Sequence, residues 1–315
     1  MAEAQVAVRP RSAPMRAVFY MVAAVSALAV LDAGVKWLTA VYPVPQIAFL
    51  RYLVGLALAL GLAPRLGGLA TLRTRRLSGH MLRSALNLAT ILTFYYALKL
   101  MPLADAIAIV FAAPLFMTVL SVPLLRERVG PRRWTALVVG FAGVLIILRP
   151  SGAGLDPAAL MALASALFYA LTMISSRQLS TTESSHAILF YYSAAGLLAT
   201  GAVLPWQWIT PTPGDLWIFL LVGVVGGFGQ FFLNQAFRYG EVSLLAPIEY
   251  TALLWAILFG FLLWDALPSW PVLGGAALVI ASSLYIIHRE TALARRDRLR
   301  RRTEPPADQP ASPQP

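Results

Sequence analysis

Long apolar runs, each about one bilayer thick, alternate along this chain with short polar or basic stretches. Ten of them read as helices, over residues 17–39, 45–63, 79–99, 103–125, 131–149, 156–177, 185–204, 214–237, 242–264 and 270–288. A helix rises about 1.5 Å per residue, so about 20 residues cross the hydrocarbon core. Pro102, Pro131, Pro157 and Pro271 fall near the starts of these runs, where a missing N–H costs no helical hydrogen bond. The pattern predicts an all-α polytopic membrane protein with ten transmembrane helices. Residues 1–16 are a short basic segment. They do not resemble a cleaved export signal, because the apolar run that follows is too long and contains Asp32 and Lys36. Residues 289–315 turn basic and then Pro-rich, and read as a disordered tail.

The runs repeat. Ser26 in AAVSALAVL and Ser165 in MALASALFYA lie 139 residues apart, and Tyr52 in IAFLRYLVG and Tyr192 in ILFYYSAAG lie 140 apart. ALKLMPLADA aligns with AFRYGEVSLL at 139, and LLRERV with LLWDAL at 138. The unit is five helices long, giving a first repeat over 17–149 and a second over 156–288. Five is odd, so the second copy enters the membrane from the opposite side. That inverted repeat is common among secondary transporters.

Charge orients the helices. Of the 25 Lys and Arg residues, 21 lie at one set of span ends, and only Lys99 and Arg149 at the other. The remaining two, Lys36 and Arg51, fall inside spans. The positive-inside rule then puts both termini in the cytoplasm, with the chain in a bacterial-type inner membrane. Composition agrees: 12% of residues are charged, against about 25% in soluble domains. A net charge of +11 would point to nucleic acid in a soluble protein. Here the basic residues flank apolar runs, so the lipid bilayer is the expected partner and nucleic acid is not. Cysteine is absent, and His80, His186 and His288 are scattered near span ends. No metal centre, cofactor or catalytic nucleophile–base set is expected. No Walker motif is present, so coupling to a proton, a counter-solute or a simple gradient is expected in place of ATP.

Ionisable groups inside spans cost at least about 2.5–3.5 kcal/mol and mark function by default. Asp32 and Lys36 share a face of the first helix, four residues apart. They either neutralise each other or line a solute path. Arg51 lies about 9 Å of helix from the outer end of the second span. It cannot discharge itself, so it needs water, a carboxylate or an anionic solute. Glu249 follows Pro247 in LLAPIEYTALLW, where a proline loosens the helix and frees carbonyls. Glu249 is either a site group or the structural partner of Arg51 or Lys36. Asn87, Tyr95, Gln230 and Asn234 add polar groups in the third and eighth helices, and Tyr250 and Trp255 offer aromatic faces to a ring-bearing solute. These ten residues form the candidate substrate-binding or translocation set. Glycines in GVVGGFGQ, VVGFAGV and GLLATG provide close-packing seams.

Seven stretches carry a family resemblance: FLRY at 49–52, PLADAIAIVFAAPLF at 102–116, LRERVG at 125–130, VVGFAGVLIILRP at 138–150, ILFYYSA at 188–194, SLLAPIEYTALLW at 243–255 and GGAALVIASSLYI at 274–286. The chain resembles the EamA family of the drug/metabolite transporter superfamily over about residues 16–290. The resemblance implies ten helices in two inverted five-helix repeats around a central cavity, and secondary transport of a small organic metabolite by alternating access. Within the family, HMLRSALNL, ILFYYSAAG, WITPTPGDLWIFLLVGVVG and LLAPIEYTALLW are similar to S-adenosylmethionine importers. Riboflavin-type vitamin importers, and exporters of amino acids, metabolites or drugs, are the alternatives. A receptor or scaffold is a further one, and the chain acts as a monomer or homodimer. One departure from the family pattern is Asp265, in WDAL, where repeats often carry Glu.

Overall fold

The computed structural model describes residues 14–62, 74, 76–125, 129–149, 156–179, 183, 185–240 and 242–303. Arg65, Arg73, Arg75, Arg126 and Arg128, with residues 1–13 and the tail from 304, lie outside the described residues. The first half comprises α1 (Pro14–Leu38), α2 (Val44–Leu62), α3 (Leu77–Leu100), α4 (Leu103–Val110), α5 (Ala113–Leu125) and α6 (Pro131–Leu148). The second comprises α7 (Pro157–Leu179), α8 (Ser185–Gly201), α9 (Pro213–Tyr239), α10 (Val242–Glu249), α11 (Ala252–Trp264) and α12 (Trp270–Thr303). The ends of α3, α4 and α5 and the starts of α4, α5 and α6 recur at an offset of 139 in α9 to α12. The protein is an all-α polytopic membrane protein built from two copies of one five-span unit.

Among the described residues, nine stretches are apolar and long enough to cross a membrane. Helix α3 is 24 residues long but holds His80, Arg83, Asn87 and Lys99, which lower its hydropathy. Of these, His80 is buried, Arg83 and Asn87 are partly buried, and Lys99 is exposed at the helix end. Phe19, Leu198, Trp217 and Leu262 are largely exposed, as expected where the surrounding solvent is lipid.

Two spans are broken. In one, α4 ends at Val110 and α5 starts at Ala113; in the other, α10 ends at Glu249 and α11 starts at Ala252. Each break tightens to three-residue hydrogen bonding: the Ala112 N–H donates to Ile109 (2.9 Å) and the Thr251 N–H to Ile248 (3.0 Å). Pro114 and Pro247, which lack the N–H that would continue the ladder, sit beside these breaks. The tail expectation is corrected in part: α12 runs unbroken to Thr303. Residues 291–302, TALARRDRLRRR, are strong helix formers except Thr291 and Asp297, and they extend an existing helix, so no new nucleus is needed.

The two halves interlock. Helix α1 packs along α9, and its repeat mate α7 along α3. The mates α2 and α8 pack on each other, as do α6 and α12. Gly143 and Gly275 let the last pair approach backbone to backbone: a Cβ on Gly143 would lie 2.7 Å from the Gly275 carbonyl oxygen.

Candidate functional site

Repeat mates meet in pairs at the centre of this arrangement. Tyr52 of α2 and Tyr192 of α8 contact edge to face, ring centres 5.5 Å apart. Phe111 and Tyr250, the first residues of the two helix breaks, do the same at 5.0 Å. The pseudo-two-fold axis therefore passes between aromatic pairs. Gly196 of α8 packs on the Tyr52 ring and leaves no room for a side chain.

Charged groups stand around the first pair. Arg51 donates from Nη1 to the Tyr95 hydroxyl at 2.7 Å, and its guanidinium carbon lies 5.9 Å from the Tyr95 ring centre. Tyr52 and Tyr192 are further electrostatic neighbours of Arg51. Gly226 of α9 faces the same region and lets Leu31 of α1 approach closely, leaving no room for a side chain there. Arg83 of α3 donates from Nε to Ser176 at 2.7 Å and lies 5.9 Å from the Tyr192 ring centre. Its buried Nη1 has no hydrogen-bond partner among the described residues. Asn87 accepts from the Tyr52 hydroxyl at 3.4 Å. Two guanidiniums thus flank a cluster of phenols in which Tyr52 and Tyr95 are buried, while Arg51, Arg83 and Tyr192 are partly exposed and set hydrogen-bond donors beside one accessible ring.

Of the two readings for Asp32 and Lys36, mutual neutralisation is not the arrangement found among the described residues. Lys36 Nζ donates to the carbonyls of Leu98 and Met101, both at 2.8 Å, and lies 5.4 Å from the Trp264 ring centre. Helix α3 ends there, and its last carbonyls lack intrahelical donors, which the ammonium supplies. Asp32, one turn deeper on α1, interacts electrostatically with Arg51 and Tyr95. Asp32 and Arg51 are both partly exposed.

Glu249 is the last residue of α10 and is exposed at the break. Its electrostatic neighbours are Tyr169 of α7 and Tyr250, and neither Arg51 nor Lys36 is among them. Trp255 stacks on Phe259 at 5.8 Å and packs with the smaller apolar cluster of α1, α9 and α10. Gln230 is exposed on α9. Asn234 belongs to α9, and its side chain lies outside the described residues. Asp32, Arg51, Asn87 and Tyr95 are therefore brought together, Glu249 and Tyr250 form a second group, and Lys36 stands apart. A crevice of about 380 Å3 lined by Met15, Arg16, Phe19, Tyr20 and Tyr239 opens at the other end of α1 and includes none of them.

Sequence reasoning missed Tyr52, Arg83, Phe111, Tyr169 and Tyr192 as site residues. Tyr52 and Tyr192 were visible as repeat mates, and mates near the axis meet. Arg83 counted as a loop-end charge, yet it is the seventh residue of α3. Among the described residues, no three His, Asp or Glu side chains come together in a way that could hold a metal ion.

Known proteins share this architecture. The sequence model of the EamA-like transporter family matches residues 15–149 and again 156–288. A riboflavin transporter of Rhizobium johnstonii is 30% identical over 92% of this chain and 96% of its own length. An S-adenosylmethionine uptake transporter of Rickettsia prowazekii is 29% identical over 78% of this chain and 83% of its own. The pseudopaline exporter CntI of Pseudomonas aeruginosa is 29% identical over 82% and 90%. A solved crystal structure, 21% identical, superposes on 91% of this chain with a TM-score of 0.60 and shares the fold. With both repeats matched, the chain belongs to the EamA-like transporter family and is a multi-pass secondary transporter of a small organic solute, not an enzyme.

Proposed function

We propose that this carrier moves a planar, ring-bearing metabolite of the riboflavin type, and that the solute binds against Arg51 and Tyr192, the partly exposed members of a cluster whose Tyr52 and Tyr95 rings are buried behind them. The observation that carries this reading is the pair of arginines around the phenol cluster. A flat heteroaromatic ring stacks on the partly exposed Tyr192 ring, and its carbonyl oxygens accept from guanidinium N–H groups. The sulfonium of S-adenosylmethionine brings a positive charge, and Arg51 and Arg83 outnumber Asp32 on this wall. The riboflavin transporter match also spans more of the chain than the S-adenosylmethionine match. Glu249 at the second break binds a coupling proton or a polar end of the solute. The charge pattern supports cytoplasmic termini.

The test is equilibrium binding to purified protein in detergent, with riboflavin, S-adenosylmethionine and an amino-acid mixture as ligands. Riboflavin is expected to bind saturably and to be displaced by other flat heterocycles. Preferential binding of S-adenosylmethionine would reverse the solute assignment and move its cation to Asp32 or Glu249.

A further inference from the structure

Two contacts close the bundle, one at each end, and they occupy equivalent places in the two repeats. The α1–α2 connection spans 39–43 and the α7–α8 connection 180–184, five residues each. Tyr42 and Glu183 are both the fourth of the five. Their partners, Phe219 in α9 and His80 in α3, lie 139 apart, the offset at which those two helices end. Phe219 meets Tyr42 edge to face at 5.1 Å. His80 meets Glu183, Nε2 to Oε2, at 3.3 Å. Because the second repeat is inverted, these equivalent contacts stand at opposite faces of the membrane.

Each contact ties one half of the molecule to the other and is reinforced locally. The Tyr42 hydroxyl donates to Asp215 Oδ2 at 2.7 Å and accepts from the Thr212 N–H at 3.2 Å. Gln46 exchanges two hydrogen bonds with the Ile209 backbone, at 2.6 and 3.0 Å. At the other end, His80 and the Glu183 side chain are almost fully buried, and the His80 ring lies 4.6 Å from Tyr191. No solute-site group takes part in either contact.

We propose that His80–Glu183 and Tyr42–Phe219 are the two gate latches of the carrier, one ionisable and one aromatic. A carrier opens its faces in turn, so each latch must part while the other holds. Water rehydrates a parted imidazole and carboxylate, as it does the Tyr42 hydroxyl and Gln46 at the other end, but it gains nothing from the parted Tyr42 and Phe219 rings. Removing one partner of the buried polar pair leaves the other uncompensated, and opening that face relieves it. Loss of either latch therefore shifts the molecule toward opening at its own face. The inference rests on the chain being a carrier and is independent of which solute it carries.

The chain has no cysteine, so a single introduced thiol reports opening. Ser84→Cys suits this purpose: Ser84 is buried one turn inward from His80 on α3. A membrane-impermeant maleimide is applied to each face of oriented vesicles containing purified, inserted protein. On the S84C background, Glu183→Gln is expected to raise labelling from the His80 face on the order of tenfold. Tyr42→Ala is expected to lower it below the parent rate, because it removes the ring and the hydroxyl of the opposite latch. The double change His80→Phe with Glu183→Tyr transplants the aromatic latch and is expected to return labelling to the parent rate or below. Unchanged labelling in E183Q would overturn the proposal, as would a rise in Y42A matching that in E183Q. Should E183Q fail to insert, His80→Gln carries the same expectation and the same refutation.

Discussion

Arg51 is held by Tyr95, whose hydroxyl accepts its hydrogen bond and whose ring lies 5.9 Å from its guanidinium carbon. Its charge is permanent, so every conformation of the carrier must supply it with acceptors. Arg51→Ala removes a hydrogen bond from a charged group, worth about 1.5–3 kcal/mol. Solute uptake by R51A should fall at least about tenfold with insertion unchanged, measured as initial rates normalised to inserted protein. Wild-type uptake by R51A would make the residue a packing group only. Depth alone identified Arg51 in the sequence, since an arginine far from a span end needs partners. Depth did not identify the partners: Tyr95 is 44 residues away and meets Arg51 only because α2 and α3 pack together. The same limit explains Lys36. Its i, i+4 spacing to Asp32 was legible, but the bare carbonyls at the end of α3 lie 62 and 65 residues away and win the ammonium.

The helix breaks link local chemistry to movement. Both fall at the same register of the repeat and bring Phe111 and Tyr250 together. Pro247 signalled a weak point beside Glu249 in the sequence. The other break lies in PLADAIAIVFAAPLF, where unbroken hydropathy concealed Pro114 as a second signal. Asp265, the departure from the family pattern, caps α11 with φ of 51°. A short carboxylate side chain tolerates that left-handed conformation well, which accounts for Asp there. Glu249→Gln keeps the size of the side chain and removes its charge. A coupling role predicts that E249Q loses concentrative uptake and keeps downhill exchange, whereas a solute-pairing role predicts loss of both. Comparing the two flux modes between pH 6 and 8 decides between them. Unchanged flux in both modes, with unchanged pH dependence, would remove Glu249 from the site.

At the scale of the whole molecule, span count, internal repeat and inversion were all legible, because each is written in hydropathy and in a near-constant offset. The interlocking of α1 with α9 and α3 with α7 was not, since lipid-facing and buried apolar residues look alike in sequence. The charge pattern predicts an extracytoplasmic signal from a reporter fused at residue 153, between α6 and α7. A cytoplasmic signal there would invert the orientation proposed for the termini. The central claim is carriage of a flat metabolite through the Arg51–tyrosine cluster. Its most direct test is counterflow in proteoliposomes of purified protein, preloaded with unlabelled riboflavin and given labelled riboflavin outside. The account predicts saturable accumulation in wild type that is competed by flat heterocycles and lost in R51A. Absence of counterflow by correctly inserted wild-type protein, or counterflow that R51A leaves intact, would contradict it.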